Sequence, residues 1–169
     1  MKSRARGFTL IELLVVIAVI SIVAVAVNTN FFDFSIARTF YTARKIQSDV
    51  RYAQQLAMAL QLRTRITFNV SPTNTYLVEF ENPASTWNPA KDPLTRQNFN
   101  TTLNAGNYQG VTISAITWTA GNSGNKIIFD ETGSPFDQNG AALTGLATVT
   151  LSGIRNILIT RNTGKVKIT

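Results

Sequence analysis

Residues 8 to 27 read FTLIELLVVIAVISIVAVAV, a run with no glycine, no proline and a single charge, Glu12. Twenty helical residues at about 1.5 Å rise each cover the roughly 30 Å hydrocarbon core of a bilayer, so the run predicts a membrane-spanning helix. A carboxylate near the centre of such a helix costs about 2.5 kcal/mol or more, which marks Glu12 as a functional group in need of a positive partner. The leader Met1 to Gly7 holds Lys2, Arg4 and Arg6 and no acid. By the positive-inside rule this keeps the N-terminus cytoplasmic and places the bulk of the chain across the membrane.

Three plainer readings compete. A secretory signal peptide also joins a basic start to an apolar core, and Ala24-Val25-Ala26 has the small-x-small form of its cleavage site. Glu12 inside the core argues against it. A simple membrane anchor has no use for the glutamate, and a buried helix of a soluble protein has no use for the cationic leader.

The 169 residues leave room for the helix and one head of about 140 residues, a size that buries its own core. Formal charge is +7, from 16 Lys and Arg against 9 Asp and Glu; without the leader's three cations it is +4. An excess that small is explained by solubility as readily as by an anionic partner. The chain has no cysteine and no histidine, which removes disulfides, the usual zinc sites, Ser-His-Asp triads and thiol catalysis. No enzyme activity and no cofactor are expected.

Asn28-Thr29-Asn30 is a polar break where the span should end, followed by Phe31, Phe32 and Phe34, aromatic residues suited to the interface. From Ser35 to Gln61, Ile36, Phe40, Ala43, Ile46, Val50, Ala53, Leu56, Ala57 and Leu60 recur in steps of three and four. They make one helical stripe, with Arg38, Arg44, Lys45, Gln47, Asp49, Arg51 and Gln54 opposite. The period then changes to two: Ile66, Phe68 and Val70 before a Ser71-Pro72-Thr73-Asn74 turn, and Tyr76, Val78 and Phe80 after it, predict a β-hairpin. Residues 82 to 110, with three prolines among many Asn and Thr, predict a long loop holding at most a short element and no core. Further strands are expected over Val111 to Thr119, Lys126 to Asp130, Ala147 to Ser152, Arg155 to Thr160 and Lys165 to Ile168. A helix followed by an all-β remainder predicts an α+β fold: a long N-terminal helix, its first half membrane-spanning and its second amphipathic, packed on an antiparallel sheet head.

The string Gly7-Phe8-Thr9-Leu10-Ile11-Glu12 after a basic leader resembles the type IV filament family, the pilins and pseudopilins. The resemblance implies a leader 1–7 removed by a prepilin peptidase between Gly7 and Phe8, and N-methylation of Phe8. It implies a filament-core helix over 8–30, an amphipathic helix over 31–62 and a β-rich head over 63–169. It also implies inner-membrane, single-pass placement with the head outside the cytoplasm, and assembly with other pilin or pseudopilin subunits through the N-terminal helix. In that family the glutamate is thought to pair with a neighbouring subunit's N-terminal amine. An amine and a carboxylate brought together into low dielectric attract strongly, whereas either alone is costly. One departure stands out: where many members carry a proline about twenty-two residues into the mature chain, this one has Thr29.

Within the family, the order of elements is similar to minor pseudopilin H of type II secretion and to FimT-like minor pilins. The stretch Ile46 to Ala57, Ile127-Ile128-Phe129-Asp130 with Gly133, and Ile157-Leu158-Ile159 with Gly164-Lys165-Val166 carry that likeness. It implies a structural subunit of a secretion pseudopilus; the alternative is a minor pilin for pilus assembly or DNA uptake. For the alternative, Arg155, Arg161, Lys165 and Lys167 are the candidate nucleic-acid contacts, although lysines on a terminal strand also guard against edge-to-edge aggregation. Lys91 and Arg96 read as solvated. Asp130, Glu131, Asp137 and Asn139 could offer oxygens to calcium, but their spacing is not that of an EF-hand and Gly133, Pro135 and Gly140 fit turns, so no metal is expected.

Overall fold

The computed structural model describes residues 9–29, 31–70, 72–119 and 121–169, and the side chains of residues 25–33 lie outside that description. The leader, Gly7 and Phe8 therefore fall outside the described residues, as do Asn30 of the polar break and the side chains of Phe31 and Phe32. The chain divides into two compact units, Met1–Ser35 and Ile36–Thr169.

The first unit carries helix α1, Leu10–Thr29. Helix α2 follows over Phe31–Leu60, 30 residues without Gly or Pro. Its buried positions Ala43, Ile46, Val50, Ala53 and Ala57 repeat in steps of three and four, as the sequence predicts, while Ile36 and Leu60 at the ends of the stripe are 46% and 43% exposed. Gln61 closes the helix in a left-handed conformation at φ 52°, and the Leu62 N–H reaches back to the Ala57 carbonyl at 3.3 Å. This is a six-to-one closure that satisfies an orphan carbonyl without glycine.

Among the described residues ten strands form two antiparallel sheets where the sequence predicts a single one. The larger joins β1 (Thr64–Asn69), β2 (Thr75–Glu81), β3 (Trp87–Pro89), β4 (Asn100–Thr102), β6 (Lys126–Phe129) and β7 (Pro135–Phe136), in the order β3-β2-β1-β6-β7 with β4 also on β2. The smaller joins β5 (Ile113–Trp118), β8 (Ala147–Leu151), β9 (Arg155–Ile159) and β10 (Val166–Ile168), in the order β10-β9-β8-β5. The β1–β2 register sets Ile66 against Val78 and Phe68 against Tyr76. All four are 0% exposed, so the period-two alternation selects the core face. On the smaller sheet Ala147, Val149, Leu151, Ile157 and Ile159 do the same. One apolar core joins these residues to the α2 stripe, and each fully buried Phe or Ile contributes roughly 1.5–3 kcal/mol.

Residues 82–110 correct the expected loop. They supply β3 and β4, and they bury Ala90, Phe99 and Leu103 at 1–2% exposure. Phe99 stacks on Tyr52 of α2 with ring centroids 5.7 Å apart. The segment is held by backbone bonds on β2: Val78 N–H to Phe99 O at 3.2 Å and Ala90 N–H to Val78 O at 2.9 Å.

Polar side chains of α2 tie the helix to both sheets. Gln47 Nε2 donates to the Val166 carbonyl of β10 at 2.9 Å, and Gln54 Nε2 donates to Gly133 O and Thr163 O, 2.8 Å each, in the β6–β7 and β9–β10 turns. Asp49, expected on the solvated face, is instead 5% exposed. Its carboxylate accepts from Lys45 Nζ at 2.6 and 2.8 Å and from the Tyr76 hydroxyl at 2.5 Å. Such charge-assisted bonds are what make a buried carboxylate tolerable.

Candidate functional site

In α1 the described apolar side chains point outward on every side: Leu10 is 83% exposed, Ile11 71%, Ile17 56% and Ile22 71%. A helix apolar all round requires an apolar surrounding. Glu12 is the one charged residue of the helix, and it sits in the first turn. Its N–H lies 3.3 Å from Thr9 Oγ1 and 3.1 Å from Thr9 O. Thr9 thus caps the helix, and Thr9-x-x-Glu12 has the spacing of a capping box, with an acid at the positive end of the dipole. Both bonds are made by the Glu12 main chain, with Thr9 as the cap, and the Thr-x-x-Glu spacing is legible in the sequence. Ser21, the other polar group in the apolar run, donates to Ile17 O at 2.8 Å and so needs no outside partner. Among the described residues no helix is long and apolar enough to cross a membrane; the side chains of α1 are described only as far as Ala24.

The four basic residues of the C-terminal strands do not share one face. Arg155 opens β9 on the side of Ile157 and Ile159, with its guanidinium 5.7 Å from the Phe40 ring centroid of α2. Arg44 approaches the same ring at 4.6 Å. Arg161, in the turn after β9, donates to Thr144 O at 3.2 Å. Lys165 and Lys167 are exposed and flank the inward-facing Val166. Arg51 of α2 donates to the Val166 carbonyl at 3.5 Å. Residues 138–169, which include β8, β9 and β10, contain no acid. The described ion pairs lie elsewhere: Lys45–Asp49, Arg63–Glu81 and Arg65–Glu79.

A family model described as the prokaryotic N-terminal methylation motif matches residues 2–28. The chain carries that motif. Gly7, Phe8, Thr9 and Glu12 all fall inside it. The fold is similar to a solved structure of EpsH, a minor pseudopilin from the type 2 secretion system of Vibrio cholerae, with a TM-score of 0.57. The likeness covers 78% of this chain and 94% of that one at 8% identity, and is therefore one of fold. No curated protein matches the chain in sequence.

In this methylation-motif chain the acids near Gly133 and Gly140 serve turns. Asp130 Oδ1 accepts from the Thr132 N–H at 3.0 Å, the Thr132 hydroxyl at 2.7 Å and the Ser134 N–H at 2.7 Å. Asp137 Oδ1 accepts from the N–H groups of Asn139 and Ala141, 2.9 Å each. Burial pushes the Asp137 carboxyl up, but the backbone bonds from Ala141 and Asn139, with help from Asn122 and Ser123, outweigh it and hold the group below the ordinary carboxylate value. Among the described residues no cluster of acids is arranged to hold a metal ion. Lys91 donates to Asn98 Oδ1 at 2.8 Å and, like Arg96, is exposed.

Proposed function

We propose that this chain is a minor pseudopilin-like structural subunit of a type II secretion pseudopilus. The observation that carries the reading is the methylation motif over residues 2–28, opening a 20-residue apolar helix with one acid. On this reading a prepilin peptidase cuts after Gly7, Phe8 is N-methylated, and α1 spans the inner membrane with the head outside the cytoplasm. The apolar run of the sequence from Phe8 to Val27, twenty residues at about 1.5 Å each, supplies the length for a hydrocarbon core of roughly 30 Å. Subunits then leave the bilayer for a helical bundle, in which apolar side chains of neighbouring helices replace lipid and Glu12 meets an N-terminal amine. The role is mechanical rather than catalytic.

The second reading is a FimT-like minor pilin that serves pilus assembly or captures DNA. It is supported by the acid-free stretch 138–169 and the exposed Lys165 and Lys167. On that reading duplex binding weakens steeply with salt, and replacing Lys165 and Lys167 by Ala lowers the salt slope by about 2.

A clean deletion strain separates the two. Secreted substrate and imported DNA are measured side by side, with the N-terminus of the wild-type protein read by mass spectrometry. Lost secretion with intact import supports the pseudopilin; lost import with intact secretion supports the pilin. An unprocessed N-terminus overturns both.

A further inference from the structure

Where α2 meets the start of β9, two guanidinium groups share one aromatic ring. Arg44 stands one turn after Phe40 on α2, and its guanidinium carbon lies 4.6 Å from the ring centroid. Arg155 approaches the same ring at 5.7 Å. Such contacts hold a cation in place without neutralising it. Buried donors ordinarily find an acceptor; Arg155 Nε is buried without one.

No carboxylate answers these two charges. The ion pairs among the described residues involve neither Arg44 nor Arg155. Residues 34–48 of α2, 93–129 and 138–169 contain no acid. The elements beside the ring therefore supply none, whether α2, β9 or the β8–β9 turn with the Thr112 and Ser114 it bonds. Thr169 bonds Asn156 through its main chain and forms no ion pair. The flanking acids of α2 are Asp49, buried with Lys45, and Asp33, about 10 Å along the axis from Phe40.

The same place carries apolar surface that the head leaves open. Tyr41 packs edge-on against Phe40, ring centroids 6.3 Å apart, and is 69% exposed. Ile36, one turn before Phe40 in the row that leads to Arg44, is also exposed.

That composition selects the occupant. A carboxylate meets a guanidinium with two parallel bonds, whereas a purely apolar partner would bury two unpaired charges. A phosphodiester backbone would answer the charge but leave Ile36 and Tyr41 in water. An acidic side chain on a protein surface brings apolar neighbours with it, and Tyr and Arg are residues on which protein interfaces concentrate their binding energy. A second copy is a poor source. Of the seven acids in Ile36–Thr169, Asp49, Glu79 and Glu81 are ion-paired, and Asp92, Asp130 and Asp137 accept turn N–H groups, which leaves Glu131.

We propose that Arg44 and Arg155, held on Phe40, form a receptor for an Asp or Glu side chain of a different protein, whose neighbouring apolar side chains cover Ile36 and Tyr41. The site is built within Ile36–Thr169 and stands whether the chain serves secretion or a pilus.

The test is made in the host with the full chain carrying Tyr41→p-benzoylphenylalanine, which keeps a ring at the site and cross-links on illumination. Expected is an adduct with another protein whose cross-linked segment, read by mass spectrometry, contains Asp or Glu. Arg44→Gln combined with Arg155→Gln should lower its yield about tenfold or more, and Arg96→Gln should not. Arg44→Glu should lower it likewise and regain it when the partner's acid is changed to Lys. If the double variant loses its far-UV dichroism, Arg44→Gln on the exposed side chain decides alone. Any of five results would overturn the proposal: no adduct, an adduct only with lipid, nucleic acid or a second copy, a cross-linked segment without acid, an unchanged yield in the deciding variant, or a charge exchange that restores nothing. Ile17→p-benzoylphenylalanine on α1 reports assembly separately. Absence of its adducts while that of Tyr41 persists would count against the filament reading and not against this site.

Discussion

Gly164 lies so close to Gln54 that a Cβ on the glycine would stand 2.7 Å from the Gln54 side-chain nitrogen and 3.0 Å from Cε1 of Phe129. That nitrogen is the one that bonds Gly133 O and Thr163 O, joining α2 to a turn of each sheet. Gly133 approaches it from the other turn, where a Cβ would stand 3.3 Å from Gln54 Cγ. Gly164 also has φ +60°, in the left-handed region that side chains disfavour. Gly164→Ala should therefore lower stability by about 2–4 kcal/mol, from backbone strain and from displacement of the Gln54 amide. Gln54→Ala, which leaves two carbonyls short of a donor, should cost about 1–3 kcal/mol. Urea unfolding of the full chain in detergent checks both, and a Gly164→Ala midpoint equal to wild type would show that the turn yields freely.

Tyr76 and Asp49 form the buried polar centre of the head. Burial pushes the Asp49 carboxyl above its ordinary value of 3.8, and the bonds from Lys45 and Tyr76 offset only part of that. Between 3.8 and the raised value the folded state holds more protons than the unfolded one. The contribution of Asp49 to stability is therefore greatest in acid and is lost as pH rises through that window. Tyr76→Phe removes one of the two groups that compensate the charge, so it should cost about 1.5–3 kcal/mol at pH 7 and less at a pH where Asp49 is protonated in both states. Denaturant midpoints for wild type and variant at pH 7 and pH 3 give the comparison. A loss that grows toward acid would contradict the assignment.

Asp137 works in the opposite sense. Its carboxyl is held below 3.8, so it contributes stability above that value, and the contribution is lost as pH falls through the lowered one. Asp137→Ala should release the Asn139 and Ala141 N–H groups, cost about 1–3 kcal/mol at pH 7, and cost progressively less as pH drops below 3.8. Amide exchange at Asn139 and Ala141 should quicken in the variant, and unchanged protection there would count against the turn-capping role.

How far these features could be read in advance depended on run length. Phe68 and Tyr76 announced their strands because alternation around each persists for several residues. The α2 stripe was legible because 3.6-residue periodicity held from Ala43 to Ala57. Ala90, Phe99 and Leu103 were not, since β3 and β4 are three residues each and give periodicity no room. Their burial depends on β2 offering its free side to both, a tertiary relation with no local signature. Asp49 misled for a related reason: its partner Tyr76 is 27 residues away. The division into two sheets was hidden as well, because strand order, unlike strand identity, is not written in alternation. Of the site, Glu12 stood out as a charge in an apolar run, but its capping geometry with Thr9 needed coordinates to weigh.

Glu12 stands at the third position of a capping-box spacing and, on the function proposed above, also meets the amine of a neighbouring subunit. Glu12→Gln distinguishes the two roles. Glutamine fits the third position of a capping box as glutamate does, so helix α1 should start normally. It carries no charge, so pairing with an ammonium group is lost, while insertion into the bilayer becomes easier by up to about 2.5 kcal/mol. Glu12→Gln and Glu12→Ala should both be cleaved after Gly7 and methylated at Phe8, as read by N-terminal mass spectrometry, and both should be missing from sheared filaments. Gly7→Ala should remain uncleaved. Incorporation of Glu12→Gln at wild-type levels with exclusion of Glu12→Ala would assign Glu12 to the helix start alone, and the amine-pairing step would have to be abandoned for this chain.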